Sequence, residues 1–264
     1  MRNRNGFRVR ARFGLAALLM FLSAGAALAL DDGGPAVHGD ESYVQGDLPA
    51  ALAAYREALE AHPSDYHVLC RLARVESVLG EDARGEDRRR MIATAVEHAR
   101  GAVAAAPDSA QGHVWLAVAL GRQALNERAK AKLSLSREIK SEVDRALQID
   151  PGIGRAYHVR AVWNREVASL NFFERAAANT VLGGVPKGAS MENALRDFEK
   201  AVELEPQYVN HHLELGRTLM KMKRRAEARR ELERAVELPP TSHPRDPRYQ
   251  AEARELLAEL PRGE

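Results

Sequence analysis

The sequence predicts an all-α fold built from repeated pairs of helices. Hydrophobic residues make up 45% of the 264 residues, enough for a folded core and too many for a disordered chain. Aromatic residues are only 5%, with 19 Gly and 12 Pro, which disfavours a β-sandwich or barrel. A fixed pattern of small residues followed by proline occurs five times along the chain. The single cysteine, Cys70, excludes an intramolecular disulfide framework and a multi-cysteine metal site.

The repeated pattern is clearest between Gly46 and Pro63. Ala51, Tyr55 and Ala58 follow the glycine at intervals of five, four and three residues, and the proline comes five residues later. This pattern is typical of the second helix of a tetratricopeptide (TPR) repeat. The small alanines let two helices approach closely, and the proline ends the helix.

The same spacing recurs four times and predicts a TPR-like superhelical solenoid of about five irregular helix pairs. Its positions are Ala95, Ala99, Ala102 and Pro107; Ile139, Val143, Ala146 and Pro151; Ala194, Phe198, Ala201 and Pro206; and Ala228, Leu232, Ala235 and Pro240. Successive prolines are 44, 44, 55 and 34 residues apart. Because a standard repeat is about 34 residues, three repeats carry extra residues.

The extra residues fall in three places. The first excess is the charged stretch 81–90, and the second, around 126–137, is interpreted as a lengthened helix. The third lies within 164–190 and contains Phe172, Phe173 and a glycine-rich loop at 183–188, interpreted as a flexible connector. That loop lacks the preceding strand that a nucleotide-binding loop requires.

Counting on from each proline places the first helix of each pair. The predicted first helices are roughly 66–79, 110–125, 155–170 and 209–222, and an incomplete one precedes Gly46 within a linker at 30–45. The repeats are expected to span 46–246. Apolar residues at helical spacing in 247–264 predict the capping helix and tail that end a solenoid.

The N-terminal 29 residues have the pattern of a secretory signal peptide. Five arginines without an acid precede an apolar run from Phe13 to Leu28, which ends in Ala27-Leu28-Ala29. The sequence therefore predicts export to the periplasm or outside the cell, with a mature chain starting near Leu30. The alternative is an uncleaved N-terminal membrane anchor, which would be the chain's only membrane contact.

The overall charge offers no support for nucleic-acid binding. The full chain has 39 basic and 37 acidic residues, but without residues 1–29 it has 34 basic and 37 acidic residues, a net charge of −3. The apparent basicity belongs to the N-terminal segment, so no nucleic-acid partner is expected.

The irregular order of repeats resembles the regulator of microtubule dynamics protein family. The resemblance covers about residues 45–260 and is most specific in the His113-Val114-Trp115 helix and the Trp163–Pro186 insert, which leads to the helix with Ala194 and Phe198. It implies a TPR-like domain and a microtubule-associated role at organelle surfaces. The chain departs from the animal members in its bacterial-type export signal, because an exported protein would not meet tubulin.

No sequence motif indicates catalysis, so we expect a non-enzyme without cofactor or metal. The sequence lacks Gly-x-Ser-x-Gly, a phosphate-binding loop and His-Glu-x-x-His. Adjacent histidines on a helix point about 100° apart, so His211 and His212 cannot chelate one ion; His212 is expected to be packed and His211 exposed. Cys70, Trp115 and Trp163 are expected in the core.

The concave face of the solenoid is the candidate binding site. First helices line this face, and their groove-facing positions form a set with four arginines, two histidines and no acid. Such a groove would favour an acidic peptide, a carboxylate or an anionic head group. The predicted site residues are His67, Arg74, Arg155, His158, Arg165, Asn210 and Arg217; Cys70, Ser77, Gln111, Val114, Val118, Gly121, Val162, Leu213 and Met220 complete the lining.

Three functions are compatible with this sequence. The leading hypothesis is an exported, non-enzymatic TPR scaffold that binds a protein or acidic peptide in a cationic groove. The second is a carrier of lipid or a small anionic ligand, with the insert 172–182 supplying an apolar pocket. The third, from the family resemblance, is a microtubule-associated role. The groove does not match the TPR clamp for chaperone C-termini, because Cys70, Val114 and Leu213 stand where that clamp has Lys or Asn.

Overall fold

A computed structural model describes residues 34–181, 184–241 and 243–261. The predicted signal segment at 1–29, the last residue of the predicted insert 172–182 and Gly183 of the glycine loop lie outside the described residues. The described part forms twelve α-helices and contains no strand. They are α1 (Pro35–Gln45), α2 (Leu48–Ala61), α3 (Tyr66–Asp82), α4 (Gly85–Ala105), α5 (Ala110–Ala124), α6 (Ala129–Ile149), α7 (Gly154–Ala168), α8 (Phe172–Val181), α9 (Met191–Leu204), α10 (Val209–Lys221), α11 (Arg225–Glu237) and α12 (Asp246–Glu259).

The helices pack in five pairs, which confirms the TPR-like solenoid. The pairs are α1–α2, α3–α4, α5–α6, α7–α9 and α10–α11, and each pair also packs against the next. The capping helix α12 packs against α10 and α11, as predicted. The four predicted first helices correspond to α3, α5, α7 and α10, with ends that differ from the prediction by three residues at most.

The repeated small residues lie where paired helices cross. Ala99, Ala146 and Ala201 have no exposed surface, and neither does Tyr55 of the first motif. Tyr55 packs so closely on α1 that a Cβ atom at Gly39 would lie 2.4 Å from its Cε1. This contact pairs α1 with α2, and α1, with 11 residues, is shorter than the first helices of the other pairs.

The extra residues of the long repeats are mostly helical. Both α4 and α6 have 21 residues, so the excess at 126–137 does lengthen a helix. The third excess forms the additional helix α8, which packs on α6. Asn171 and Glu174 cap its start reciprocally: the Glu174 amide donates to Asn171 Oδ1 at 3.0 Å, and the Asn171 amide donates to Glu174 Oε2 at 2.8 Å.

The two ends of the solenoid meet. Arg245, beside the start of α12, donates from its guanidinium to the Val78 carbonyl of α3 at 2.8 Å and pairs with Asp82 at 2.5 Å. Arg248 also pairs with Asp82, at 3.4 Å. The C-terminal segment therefore lies across the open side of the superhelix, beside the concave face. None of the twelve described helices combines the length and apolarity needed to cross a membrane.

Candidate functional site on the concave face

A cavity of about 400 Å³ opens between α1, α3 and α5. It is lined by Asp40, His67, Cys70, Arg71, Arg74, Gln111 and Trp115. The sequence placed four of these residues on the groove, namely His67, Cys70, Arg74 and Gln111. It missed Asp40, Arg71 and Trp115. His67 is exposed, whereas Cys70 is buried in the wall, as expected for a small apolar side chain.

Arg74 is held by three neighbours within the cavity wall. Its guanidinium carbon lies 3.8 Å from the centroid of the Tyr43 ring, and Nη2 lies 3.5 Å from the Asp40 carboxylate. It also donates to Tyr55 Oη at 3.2 Å. Burial alone would raise the pKa of Asp40, but hydrogen bonds from Arg71 and Tyr55 lower it below its usual value. The carboxylate is therefore ionised and neutralises much of the charge on this part of the groove.

Arg155 is a cation of the predicted groove that pairs with aromatic rings and with no carboxylate of the described residues. Its guanidinium carbon lies 5.2 Å from the Trp115 ring centroid and 5.3 Å from that of Tyr208, within the range of cation–π attraction. Glu205, its neighbour, accepts from the Arg155 backbone amide at 3.1 Å and from His211 Nε2 at 3.1 Å. Within the described residues, no carboxylate lies within ion-pair distance of the Arg155 guanidinium. The Arg155 side chain is half-buried.

His158 and His211 form a pair of imidazoles, of which His211 is buried and His158 is half-buried by accessible surface. Their Nδ1 atoms are 2.9 Å apart, and His158 also packs edge-on against Phe198. Burial lowers the pKa of both, and the positive charges of His211 and nearby arginines lower that of His158 further. The prediction that His211 is exposed was wrong, because it has no accessible surface. Helical spacing placed His158 on the inner face of α7 but did not indicate its partner on α10.

Arg165 is not on an open surface, contrary to the predicted groove. Its side chain is 6% exposed and pairs with Glu214 of α10 at 2.6 Å. It also donates to Thr218 Oγ1 at 3.2 Å, and its guanidinium lies 5.5 Å from the Phe198 ring centroid. Arg165 therefore joins α7 to α10 as a buried ion pair.

Arg217 and Asn210 lie on the concave side of α10 without forming a free cationic site. Arg217 pairs with Glu214 and, at 3.0 Å, with Glu252 of the capping helix. Asn210 is half-buried at the start of the helix. Of the four arginines predicted to form one cationic stripe, Arg74, Arg165 and Arg217 have carboxylate partners within the chain. Of these four, Arg155 is the one with no carboxylate partner among the described residues.

The C-terminal segment adds an aromatic cluster that the sequence did not indicate. The His243 ring packs edge-on against Tyr43 at 6.4 Å and Tyr208 at 5.5 Å, and it stacks on Tyr249 at 5.7 Å. Burial lowers the pKa of His243 to about 3, helped by the positive charges of Arg155, Arg74 and Arg245.

Three buried polar atoms on α1 and α3 lack a hydrogen-bond partner in the described structure. They are Tyr43 Oη, Arg74 Nε and Ser77 Oγ. Buried polar groups are almost always hydrogen-bonded, so such atoms indicate where water or a ligand would bind. In the described ranges, no cluster of three or more His, Cys, Asp or Glu side chains could hold a metal ion.

Comparison with known proteins shows the family. Residues 38–261 match the profile of Regulator of microtubule dynamics protein 1-3. The chain belongs to this family. It is 28% identical over 224 residues to Regulator of microtubule dynamics protein 1 of Bos taurus, covering 83% of this chain and 68% of the relative. It is 28% identical over 218 residues to the Caenorhabditis elegans protein of that name, covering 83% of this chain and 96% of the relative.

The fold is also found in a bacterial TPR protein. The crystal structure of a thermophilic TPR protein of Thermus thermophilus superposes with a TM-score of 0.62 at 21% identity, covering 83% of this chain and 96% of that one. This likeness concerns the fold alone. Together with the helix pairs, it shows that the described residues have a TPR-like fold.

Proposed function

We propose that this protein is a non-enzymatic interaction module that binds an acidic protein segment on its concave face, with Arg155 receiving a carboxylate. The observation that carries the proposal is Arg155 itself. Its charge lies between two aromatic rings, 5.2 and 5.3 Å away, and has no internal carboxylate within ion-pair distance among the described residues. A charge-assisted hydrogen bond to an outside carboxylate would neutralise that charge.

The cavity beside Arg155 supplies the rest of the binding surface. Trp115 contacts Arg155 with its ring and also lines the cavity, so the cation and the cavity are continuous. His67 and Gln111 offer polar side-chain atoms at the starts of α3 and α5. An extended peptide crossing these helix starts would meet Arg155 at the next helix in the row, α7.

Site-directed photo-crosslinking tests where the partner binds. A benzophenone amino acid at His67 should crosslink the partner, and the same amino acid at Arg230 should not. Arg230 is the matched control because it is an exposed position on α11, a second helix of its pair. Crosslinks from Arg230 alone would place the partner on the convex side and contradict the proposal.

The two phenylalanines of the α8 insert do not support the carrier hypothesis. Phe172 and Phe173 are 79% and 81% exposed, so they do not form the wall of an internal pocket. A small anionic ligand would have the same binding features as the protein segment, namely Arg155 and the cavity of about 400 Å³ beside it. The concave face therefore supports binding of an anionic group in a protein segment better than a lipid carrier.

We also propose that the protein is exported. The five arginines, the apolar run and the Ala27-Leu28-Ala29 end of residues 1–29 support this proposal. The names of the relatives refer to microtubule dynamics, which an exported chain could not regulate, so the two roles exclude each other. N-terminal sequencing of the protein from its native cells decides between them: a start near Leu30 supports export, and an intact Met1 on a cytoplasmic protein contradicts it.

A further inference from the structure

The α8 insert exposes two large aromatic side chains that the interaction surface does not use. Phe172 and Phe173 are the first residues of α8, and their rings form an edge-on pair 5.7 Å apart. Each ring is about four-fifths exposed. Two adjacent exposed aromatic rings form an apolar patch, and such patches on a protein surface mark interaction sites. Leu125, after the end of α5, is 59% exposed.

The phenylalanine pair is presented by a fixed helix and not by a loose loop. Asn171 and Glu174 cap the start of α8 reciprocally. Arg175 donates to three carbonyls at the end of α7, those of Val167, Ala168 and Leu170, at 2.9 to 3.0 Å. The hydrogen bonds of Asn171, Glu174 and Arg175 therefore fix the backbone that carries the two rings. Because this backbone is already ordered, less conformational entropy is lost when the rings bind a partner.

A group of unpaired cations lies at the same edge of the solenoid. First helices run in the same direction, so the ends of the neighbouring helices α5 and α7 share one edge, and α6 begins there. Arg128, Lys130 and Lys132 at the start of α6 lie at the surface and have no side-chain partner in the described residues. They stand at a helix N-terminus, where cations are unfavourable for the helix itself.

The acids of this edge do not balance these cations. Glu166 lies 3.3 Å from Arg165 Nε, and the charge of Glu174 is offset by that of Arg175, the next residue. Glu127 is the remaining acid between α5 and the first turn of α6. The edge thus combines projecting aromatic rings with a net positive charge.

We propose that this edge, formed by Leu125, Arg128, Lys130, Lys132, Phe172 and Phe173, docks on an anionic lipid bilayer. The phenylalanines would enter the interfacial region, and the three cations would bind lipid phosphates. Charge complementarity and the protruding, preorganised aromatic pair argue for a bilayer. This contact is separate from the N-terminal segment, which the sequence had indicated as the sole membrane contact, and it does not depend on the concave site.

A tryptophan at position 173 tests the docking directly. In the full-length chain carrying Phe173→Trp, brominated lipids in phosphatidylcholine vesicles that contain phosphatidylserine should quench the introduced tryptophan and shift its emission to the blue. Trp115 and Trp163 are buried and give a constant background. The matched control is Ala104→Trp, exposed near the opposite ends of the helices, which should not be quenched. Because quenching reports position 173 alone, binding through the N-terminal segment does not mimic it.

A second variant tests whether the positive charges of the edge are needed for binding to anionic vesicles. Replacing Lys130 and Lys132 by Gln should weaken vesicle binding of the Phe173→Trp chain about five-fold per lysine, the effect of one basic residue near an anionic surface. Replacing Arg230 and Arg234 of α11 by Gln should change it little. Both lysines lie at the surface of a helix N-terminus, so replacing them should not lower the melting temperature.

Three results would overturn the proposal. One is an unquenched introduced tryptophan when the protein is bound to the phosphatidylserine vesicles. Another is equal quenching in vesicles without phosphatidylserine. The third is a shift in the emission of the introduced tryptophan with polyglutamate but not with vesicles. This result would indicate that the edge binds an acidic protein surface and not a bilayer.

Discussion

Arg245 donates a hydrogen bond to the backbone carbonyl of Val78 at 2.8 Å, although the two residues are 167 positions apart. This contact joins the start of the capping helix to the second helix pair and brings His243 beside Tyr43. The concave face is therefore bounded by the C-terminal segment as well as by the first helices. The shape of the candidate site depends on this closure.

Replacing Arg245 by Ala should loosen the closure. The variant loses the bond to Val78 and the ion pair with Asp82, and bonds made by a charged group are worth about 1.5–3 kcal/mol. We expect a loss of that order in urea unfolding and faster amide exchange at the start of α12. Arg254→Ala, at an exposed position of the same helix, is the control and should change neither.

Arg165→Ala should be strongly destabilising. The change removes one of the two arginines that pair with the Glu214 carboxylate, which is 10% exposed. Breaking a buried ion pair costs about 3–5 kcal/mol, and because Arg217 remains we expect a loss toward the lower end of that range. Arg145→Ala removes an exposed pair with Asp108 and should cost less than about 1 kcal/mol. Equal melting temperatures for the two variants would show that Arg165 is a surface residue after all.

Ala201→Trp should overpack the crossing of α9 with its neighbours. Ala201 has no accessible surface, and inserting a large side chain into a packed core costs about 1–3 kcal/mol or more. Ala251→Trp, at an exposed position on α12, should leave the unfolding midpoint unchanged. A midpoint for Ala201→Trp equal to that of the wild type would mean that the repeat register is shifted.

Stability should fall in mild acid because of His243. Its pKa is lowered from 6.5 to about 3 in the fold, so the unfolded chain binds a proton that the folded chain excludes. The stabilisation is complete above pH 6.5 and is lost as the pH falls toward 3, by up to about 1.4 kcal/mol per pH unit. His158 and His211, whose pKa values are also lowered, act in the same direction.

The histidine contribution can be measured by urea unfolding at about pH 7 and about pH 5, on either side of the ordinary histidine pKa. His243→Phe should lose less stability between these two conditions than the wild type. His38→Phe, at an exposed position, should show the wild-type dependence. If His243→Phe keeps the full pH dependence, the titration belongs to other groups.

The repeat architecture could be predicted because it is local. Ala51, Tyr55, Ala58 and Pro63 lie within one helix and its end. The residues that define each repeat are therefore close in sequence, and their spacing predicts the repeat. The long α6 could be predicted for the same reason. The helix ends differed by a few residues, since helix ends depend on capping interactions that spacing does not show.

The candidate site could be predicted only in part. Helical spacing placed His67, Arg74 and Arg155 on the concave face but could not show which arginines have acidic partners. Arg165 and Glu214 meet across two helices although they are 49 residues apart, and no local pattern records that pairing. The contact of His243 with Tyr43 spans most of the chain, so no local pattern could indicate it.

The central claim is that the unpaired charge of Arg155 receives a carboxylate. Fluorescence anisotropy with a labelled glutamate-rich peptide, and its glutamine counterpart as reference, tests it most directly. We predict that the wild type prefers the glutamate peptide, that added salt weakens this preference, and that Arg155→Glu abolishes it while the convex-side control Arg230→Glu retains it. If folded Arg155→Glu binds the glutamate peptide as tightly as the wild type does, the account is contradicted.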